Sequence, residues 1–305
     1  MNKNNKKYIA ILAALIAIFI ITQTNDKTEK IINFFDVDSV DIARIELSTI
    51  SDTLTLAYKN NEWMITSPIE YQANKYQVEN FFKKVLNVQT SSLPISESET
   101  SFATYELTDS MATCVKLYNA KDKLLAEALF GKMKGQPNTP ARMKDSKKIY
   151  RLNESISYRL KTDVNNWREK EVTAIDKDAI EKISVLYGNE GYELTRTDSL
   201  WQYEDGTESI SVDNDNKALT MIFSGLRKVN SNKFKDYEWD KYETKLATPD
   251  LEVGVNLLDG SSVYLRLAKD DEKNYIMQKD NMTDHLFTQH QNWVDRFTKK
   301  AVDFK

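Results

Sequence analysis

One cysteine, Cys114, in 305 residues leaves no intrachain disulfide, so the fold must be held by its core. Two histidines, His285 and His290, are too few to build an imidazole metal site unaided. Five positions apart, they also fall on different faces of a helix. Eight glycines and five prolines exclude collagen-like and loop-dominated architectures. No phosphate cradle is present, because Gly131-Lys132-Met133-Lys134-Gly135 lacks the P-loop spacing and its trailing hydroxyl residue. A serine nucleophile elbow is likewise missing. Asp36 and Asp38 open like a calcium loop, but Asp41 stands where glycine is needed and Leu47 where a carboxylate is needed. Asp213-Asn214-Asp215-Asn216 fails in the same way at Ser224 and reads as a helix cap. With 46 acidic residues, no single carboxylate pair stands out for acid–base work.

What is there describes a globular chain, 41% hydrophobic and 29% charged. The net charge is −4; residues 1–24 carry Lys3, Lys6 and Lys7 without an acid, so the remainder is more acidic still. An acidic body excludes phosphate-neutralising nucleic-acid binding. Residues 8–22 form an uncharged apolar run after the three lysines, the pattern of a secretory signal or signal anchor. The run ends in the bulky Phe19-Ile20-Ile21 and no cysteine follows, so an uncleaved anchor is expected rather than a cleaved peptide or a lipoprotein. Positive charge ahead of the run places the N-terminus inside and the body outside the cytoplasmic membrane.

The body reads as a duplication. Residues 37–47 reappear at 175–185, and Ile42/Ile180 and Trp63/Trp201 are each 138 residues apart. That period is too long for a solenoid repeat. In the first copy, alternating strands are expected near 43–49, 53–58 and 63–65, then a helix from Asn74 with Val78, Phe81, Phe82, Val85 and Leu86 on one face. A hairpin follows over 114–130, then a strand at 148–152 and a helix over 155–168. The second copy repeats the order, with a helix over 215–229 and a hairpin through Asp259-Gly260. Matching Val115 to Val255 and Trp167 to Trp293 implies extra residues in the first copy, assigned to the basic loop 131–146 with Lys132, Lys134, Arg142 and Lys144. Cys114 is expected as a small buried hydrophobe in a strand. Trp63 and Trp201 are expected to plug the two sheet–helix cores, with ligand stacking as the alternative.

These stretches resemble the bacterial domain-of-unknown-function 4340 family. The resemblance rests on Trp63-Met64-Ile65-Thr66-Ser67-Pro68, the helix over 75–88, Tyr105-Glu106-Leu107, Val115-Lys116-Leu117-Tyr118, Leu129-Phe130-Gly131-Lys132 and Trp167-Arg168-Glu169-Lys170-Glu171-Val172 running into Asp176 and Ile180. The family often has Gly-Leu after the tyrosine, where Glu106 stands here. The resemblance implies a membrane-anchored extracytoplasmic protein without assigned catalysis, of a kind that accompanies ABC-transporter components of the gliding-motility type.

The expected architecture is α+β: two tandem repeats, each a mostly antiparallel sheet on one main helix, behind one N-terminal transmembrane helix. Its divisions are a cytoplasmic stub and anchor over 1–24, a linker over 25–36, and repeats over 37–172 and 173–305. The expected role is a non-enzymatic accessory or scaffold protein of the inner membrane, single-pass. Its partners are the cytoplasmic membrane through 8–22, an envelope protein such as a transporter subunit, and no nucleic acid. The alternatives are a module binding a glycan, peptide or lipid between the repeats, and an envelope hydrolase. No catalytic, cofactor-binding or metal-binding residue is assigned, and no cofactor.

Overall fold

The computed structural model describes residues 28–231 and 233–305, with residues 12 and 14–16 helical ahead of them. The anchor expected over 8–22 lies, apart from those four residues, outside the described chain. Among the described residues no helix is long and apolar enough to cross a membrane. The chain divides into two compact units, Met1–Arg168 and Glu169–Lys305, built mostly of antiparallel sheet with few helices.

The first unit contains β1 (Ile31–Asn33), β2 (Arg44–Ser48), β3 (Thr53–Lys59), β4 (Glu62–Ser67), β5 (Tyr71–Gln72), α1 (Lys75–Asn80), β6 (Gln89–Ser91), β7 (Thr113–Tyr118), β8 (Leu124–Phe130), β9 (Pro140–Met143) and β10 (Tyr150–Arg151). Eight strands lie in the order β10-β9-β8-β7-β2-β3-β4-β5, and β1 pairs with β6 alongside. The period-two pattern of the central strands buries Ile45, Leu47, Leu54, Leu56, Ile65, Val115 and Leu117 completely on one face. The other face carries the cross-strand row Glu46, Lys116 and Glu127, with Lys116 Nζ 3.0 Å from Glu46 Oε1. Asn74 caps α1 by accepting from Gln77 N–H. The helix then widens into a π-type turn over Phe81–Leu86, and Val78, Phe81, Val85 and Leu86 seat against the apolar sheet face.

Three expectations need correction here. The linker expected over 25–36 is shorter, because β1 falls within it and Phe34 and Phe35 are buried against Phe130. The helix expected over 155–168 is instead two short 3-10 turns, Ser157–Arg159 and Val164–Asn166. Arg142, expected on a basic loop, is buried: its guanidinium lies over Phe102 and donates to the carbonyls of Leu107, Met143, Lys144 and Ser146. Burial pulls its pKa down.

The second unit contains β11 (Glu171–Thr173), β12 (Ile180–Tyr187), β13 (Glu190–Arg196), β14 (Trp201–Glu204), β15 (Ser209–Val212), α2 (Lys217–Leu226), β16 (Val229–Asn230), β17 (Phe234–Asp236), α3 (Trp239–Ala247), β18 (Leu251–Leu257), β19 (Ser262–Lys269), β20 (Asn274–Lys279), β21 (His285–His290) and α4 (Gln291–Val294). Its sheet runs β15-β14-β13-β12-β18-β19-β20-β21-β17, and β11 pairs with β16. Read from the middle, this is the first unit's order with one strand added at the end. In the first unit that strand's place is held by an isolated bridge, Ser96 to Ile149.

Register sharpens the duplication. Leu47 pairs with Val115 and Val185 with Val253, so the 138-residue offset persists into the fifth paired strand. Val115 therefore corresponds to Val253, not Val255. Ala141 pairs with Tyr150 and Met277 with Phe287, which keeps the offset at 136–137 past the basic loop. The loop 131–146 thus holds about one extra residue, and the dozen expected from matching Trp167 to Trp293 is not found in the segment 152–166 either, because the 3-10 turns that start at Val164 and Ala301 again stand 137 residues apart. That segment sends Ile156 and Leu160 into the core.

Candidate functional site

The hairpin β3–β4 turns through Asn60 and Asn61, whose φ values of 51° and 69° are the left-handed pair that a tight type I′ turn requires. This turn fixes the register that sets Tyr58 directly opposite Trp63. Both side chains project from the face that buries Leu56 and Ile65, but at the end of the strands, beyond the closed core. Phe82, on the helix that covers this face, completes a cluster of three rings. Tyr58 and Trp63 lie 5.7 Å apart between ring centroids, and Trp63 and Phe82 lie 5.5 Å apart. Tyr58 is 49% exposed, and Trp63 and Phe82 are half-buried.

Two clefts open beside these rings. One, of about 340 Å³, is bordered by Asn61, Glu62, Gln72, Lys75 and Glu79. The other, of about 540 Å³, is bordered by Ser39, Val40, Glu79, Lys83 and Asn87. Tyr58, Trp63 and Phe82 line both. On the first rim Gln72 Nε2 donates to Glu62 Oε2 at 3.2 Å, and Lys75 lies 4.0 Å from Glu79.

The second unit carries the same Trp–Phe pair, Trp201 and Phe223, 5.3 Å apart, yet its cleft differs. Trp201 is buried to 3% exposure. Arg196 occupies the register position opposite it, where the first unit has Tyr58. Arg196 donates to the carbonyl of Asp178 in the neighbouring 3-10 turn. A cleft of about 700 Å³ remains, with a polar border of Asp176, Lys177, Asn214, Thr220, Ser224 and Arg227 around Phe223. Duplicated scaffolding thus carries two different surfaces.

His285, His290, Cys114, Asp38 and Asn216 have structural partners. His285 and His290 lie at the two ends of β21, a strand rather than a helix. His285 is buried with Nδ1 2.8 Å from Asp236 Oδ1, while His290 caps α4 by accepting from Asn292 N–H. Among the described residues no three His, Cys, Asp or Glu side chains gather as a metal cage. Cys114 donates to Glu127 Oε1 at 3.6 Å, and burial, reinforced by that carboxylate, pushes the thiol up to about 11. Asp38 caps the 3-10 turn Ser39–Asp41 and Asn216 caps α2. Asp205 is held well below the usual carboxylate range by the N–H groups of Glu208 and Thr207 and the Thr207 hydroxyl. Tyr192 and Tyr203 are raised chiefly by burial. None of these shifted groups lines the aromatic clefts.

Of the three rings, Trp63 and Phe82 were marked from sequence as core residues, and ligand contact was the alternative for Trp63 alone. Tyr58 was reachable in principle, since a two-residue Asn-Asn turn makes it Trp63's cross-strand neighbour.

No curated protein and no solved structure matches this chain. The family profile described as Domain of unknown function (DUF4340) matches residues 63–249, starting at the cleft tryptophan and crossing from the first unit into the second. The chain belongs to that family.

Proposed function

We propose that this chain is a membrane-tethered accessory protein of the cell envelope that acts by binding rather than by catalysis, with the aromatic clefts of its first unit as the binding surface. The observation that carries the reading is the divergence of two equivalent tryptophans. Trp201 is sealed into its core, while Trp63 stays half-exposed between two clefts sized for small ligands. A tryptophan with only a packing role gains by full burial; one held open beside a tyrosine offers a contact surface.

The tether rests on the apolar run over 8–22 behind Lys3, Lys6 and Lys7. The resemblance stated above supplies ABC-transporter subunits as the protein neighbours to seek. Crosslinking of the full chain in native membranes, with identification of what it captures, tests the accessory role. Recovery of transporter subunits, with the body open to protease from the outer face of the cytoplasmic membrane, is the expected result. A chain that is released by alkaline washing and captures no envelope protein overturns it.

A further inference from the structure

We infer that the Tyr58–Trp63–Phe82 clefts bind a neutral oligosaccharide. The inference deepens the binding role proposed above and rests on it.

Trp63 stands between two aromatic neighbours, Tyr58 and Phe82, tilted against it by 51° and 54°, and all three rings line both clefts. The three rings offer flat apolar faces, which suit the C–H faces of sugar rings. They also offer length, because rings shared by two clefts accommodate more than one ring of a chain. The rims supply the complementary polar chemistry. Amides, a carboxylate pair and ammonium groups stand within the same borders, the mixture of donors and acceptors that hydroxyl groups require. Glu62 and Glu79 balance Lys75 and Lys83, so the surface has no charge excess to favour an anionic headgroup or a basic peptide. Three of these charges are already engaged locally, Glu62 by Gln72, and Lys75 and Glu79 by each other.

The indole N–H adds a donor. Nε1 of Trp167 and Nε1 of Trp293 donate to backbone carbonyls, whereas Nε1 of Trp63 meets no acceptor among the described residues. Strand addition by an extended peptide is disfavoured on the same face. The β5 end of the sheet is closed where Ala73 bridges to Arg168 and Asn74 N–H donates to the Trp167 carbonyl. The second unit lacks the feature, since Arg196 replaces the tyrosine and Trp201 is buried.

The test is titration calorimetry on the full chain, purified in a detergent without a sugar headgroup. Cellohexaose, chitohexaose, maltohexaose and mannohexaose serve as probes, with a neutral decapeptide and phosphatidylglycerol vesicles as controls. At least one hexasaccharide is expected to bind with a Kd of about 1 mM or tighter. Trp63→Ala should weaken that binding about tenfold or more, as for other central aromatic anchors. Tyr58→Ala, at an exposed position, should also weaken it with the circular dichroism spectrum unchanged, whereas Tyr58→Phe should retain it. The inference is overturned if none of the four sugars binds, if both alanine variants bind like the parent, or if the peptide or vesicles bind in a Trp63-dependent way instead. Those outcomes leave the membrane crosslinking result untouched, so the two readings fail separately.

Discussion

At the scale of single residues, the motifs that carry the family resemblance explain themselves as backbone requirements. Gly131 lies against the loop 105–107: a Cβ there would stand 2.0 Å from the Tyr105 carbonyl oxygen and 2.8 Å from that of Glu106. The loop it supports holds Glu106 at φ 54°, a left-handed conformation that costs a side-chain-bearing residue. This is where the family often has glycine. Two opposite outcomes follow for neighbouring positions. Gly131→Ala should destabilise the first unit by about 2 kcal/mol, since backbone rather than a flexible side chain must move. Glu106→Gly should stabilise it by about 0.5 kcal/mol, relief of strain outweighing the added freedom of the unfolded chain. Urea midpoints of the two variants against the parent decide both.

Cys114 allows a sharper residue-scale test. Its neutral form is favoured in the fold, so its thiol pKa is raised from 9.0 to about 11. A raised folded pKa means that this contribution to stability is complete below pH 9.0 and is lost as pH climbs through about 11. At pH 8 the native thiolate is scarcer than in the unfolded chain by about a hundredfold, and alkylation follows the thiolate. Iodoacetamide should therefore label Cys114 about a hundred times faster in urea than in buffer. Equal rates would remove the protected thiol from the description.

At the scale of elements, legibility followed one-sided burial. Strands with one wet face, such as β2, β3 and β7, show strict alternation and are legible as strands. β20 buries Tyr275, Ile276, Met277 and Gln278 in succession, because α3 covers the back of the sheet with Tyr242 and Leu246. Burial on both faces erases the alternation, so neither β20 nor β21 was recognisable from pattern. α3 itself was missed because it buries only two residues, too thin a stripe to show a helical period. The expected helix over 155–168 failed for the converse reason: Ile156, Leu160 and Trp167 are spaced like a helix face, but they enter the core from separate turns. The caps were legible. Asn216 accepts from the N–H groups of Ala218 and Leu219 at the start of α2. Asn216→Ala should cost about 1 kcal/mol, read as a lower urea midpoint with an unchanged slope. The candidate site was the least legible feature. Matching Trp63 to Trp201 identified the equivalence, but not that one indole is sealed and the other half-exposed, a difference of packing that two identical residues do not announce.

At the scale of the whole molecule, the duplication leaves each unit with a complete set of parts. Each has its own antiparallel sheet, its own capped helix on the apolar face, its own small two-stranded ribbon, and a second small cluster on the back of the same strands. In the first unit that cluster is Leu107, Ala112, Leu129 and Ile149; in the second it is Tyr242, Leu246, Ala268, Ile276 and Leu286. Ile149 and Leu286 occupy equivalent places, each beside the strand or bridge that ends the sheet. A sheet with its apolar face covered by a helix and more than a hundred residues around one core meets the requirements of an autonomous domain. Fragments 28–168 and 169–305 should each unfold in urea as one cooperative transition. Leu56, fully buried in the first unit, gives the matching lesion. Leu56→Ala should lower the stability of 28–168 by about 3 kcal/mol, and in the full chain it should leave a second transition at the midpoint of 169–305 alone. A fragment 169–305 that stays unfolded would show instead that the second copy has lost its independence. The exchange of tyrosine for Arg196 opposite Trp201 would then reflect a changed folding role as well as a changed surface.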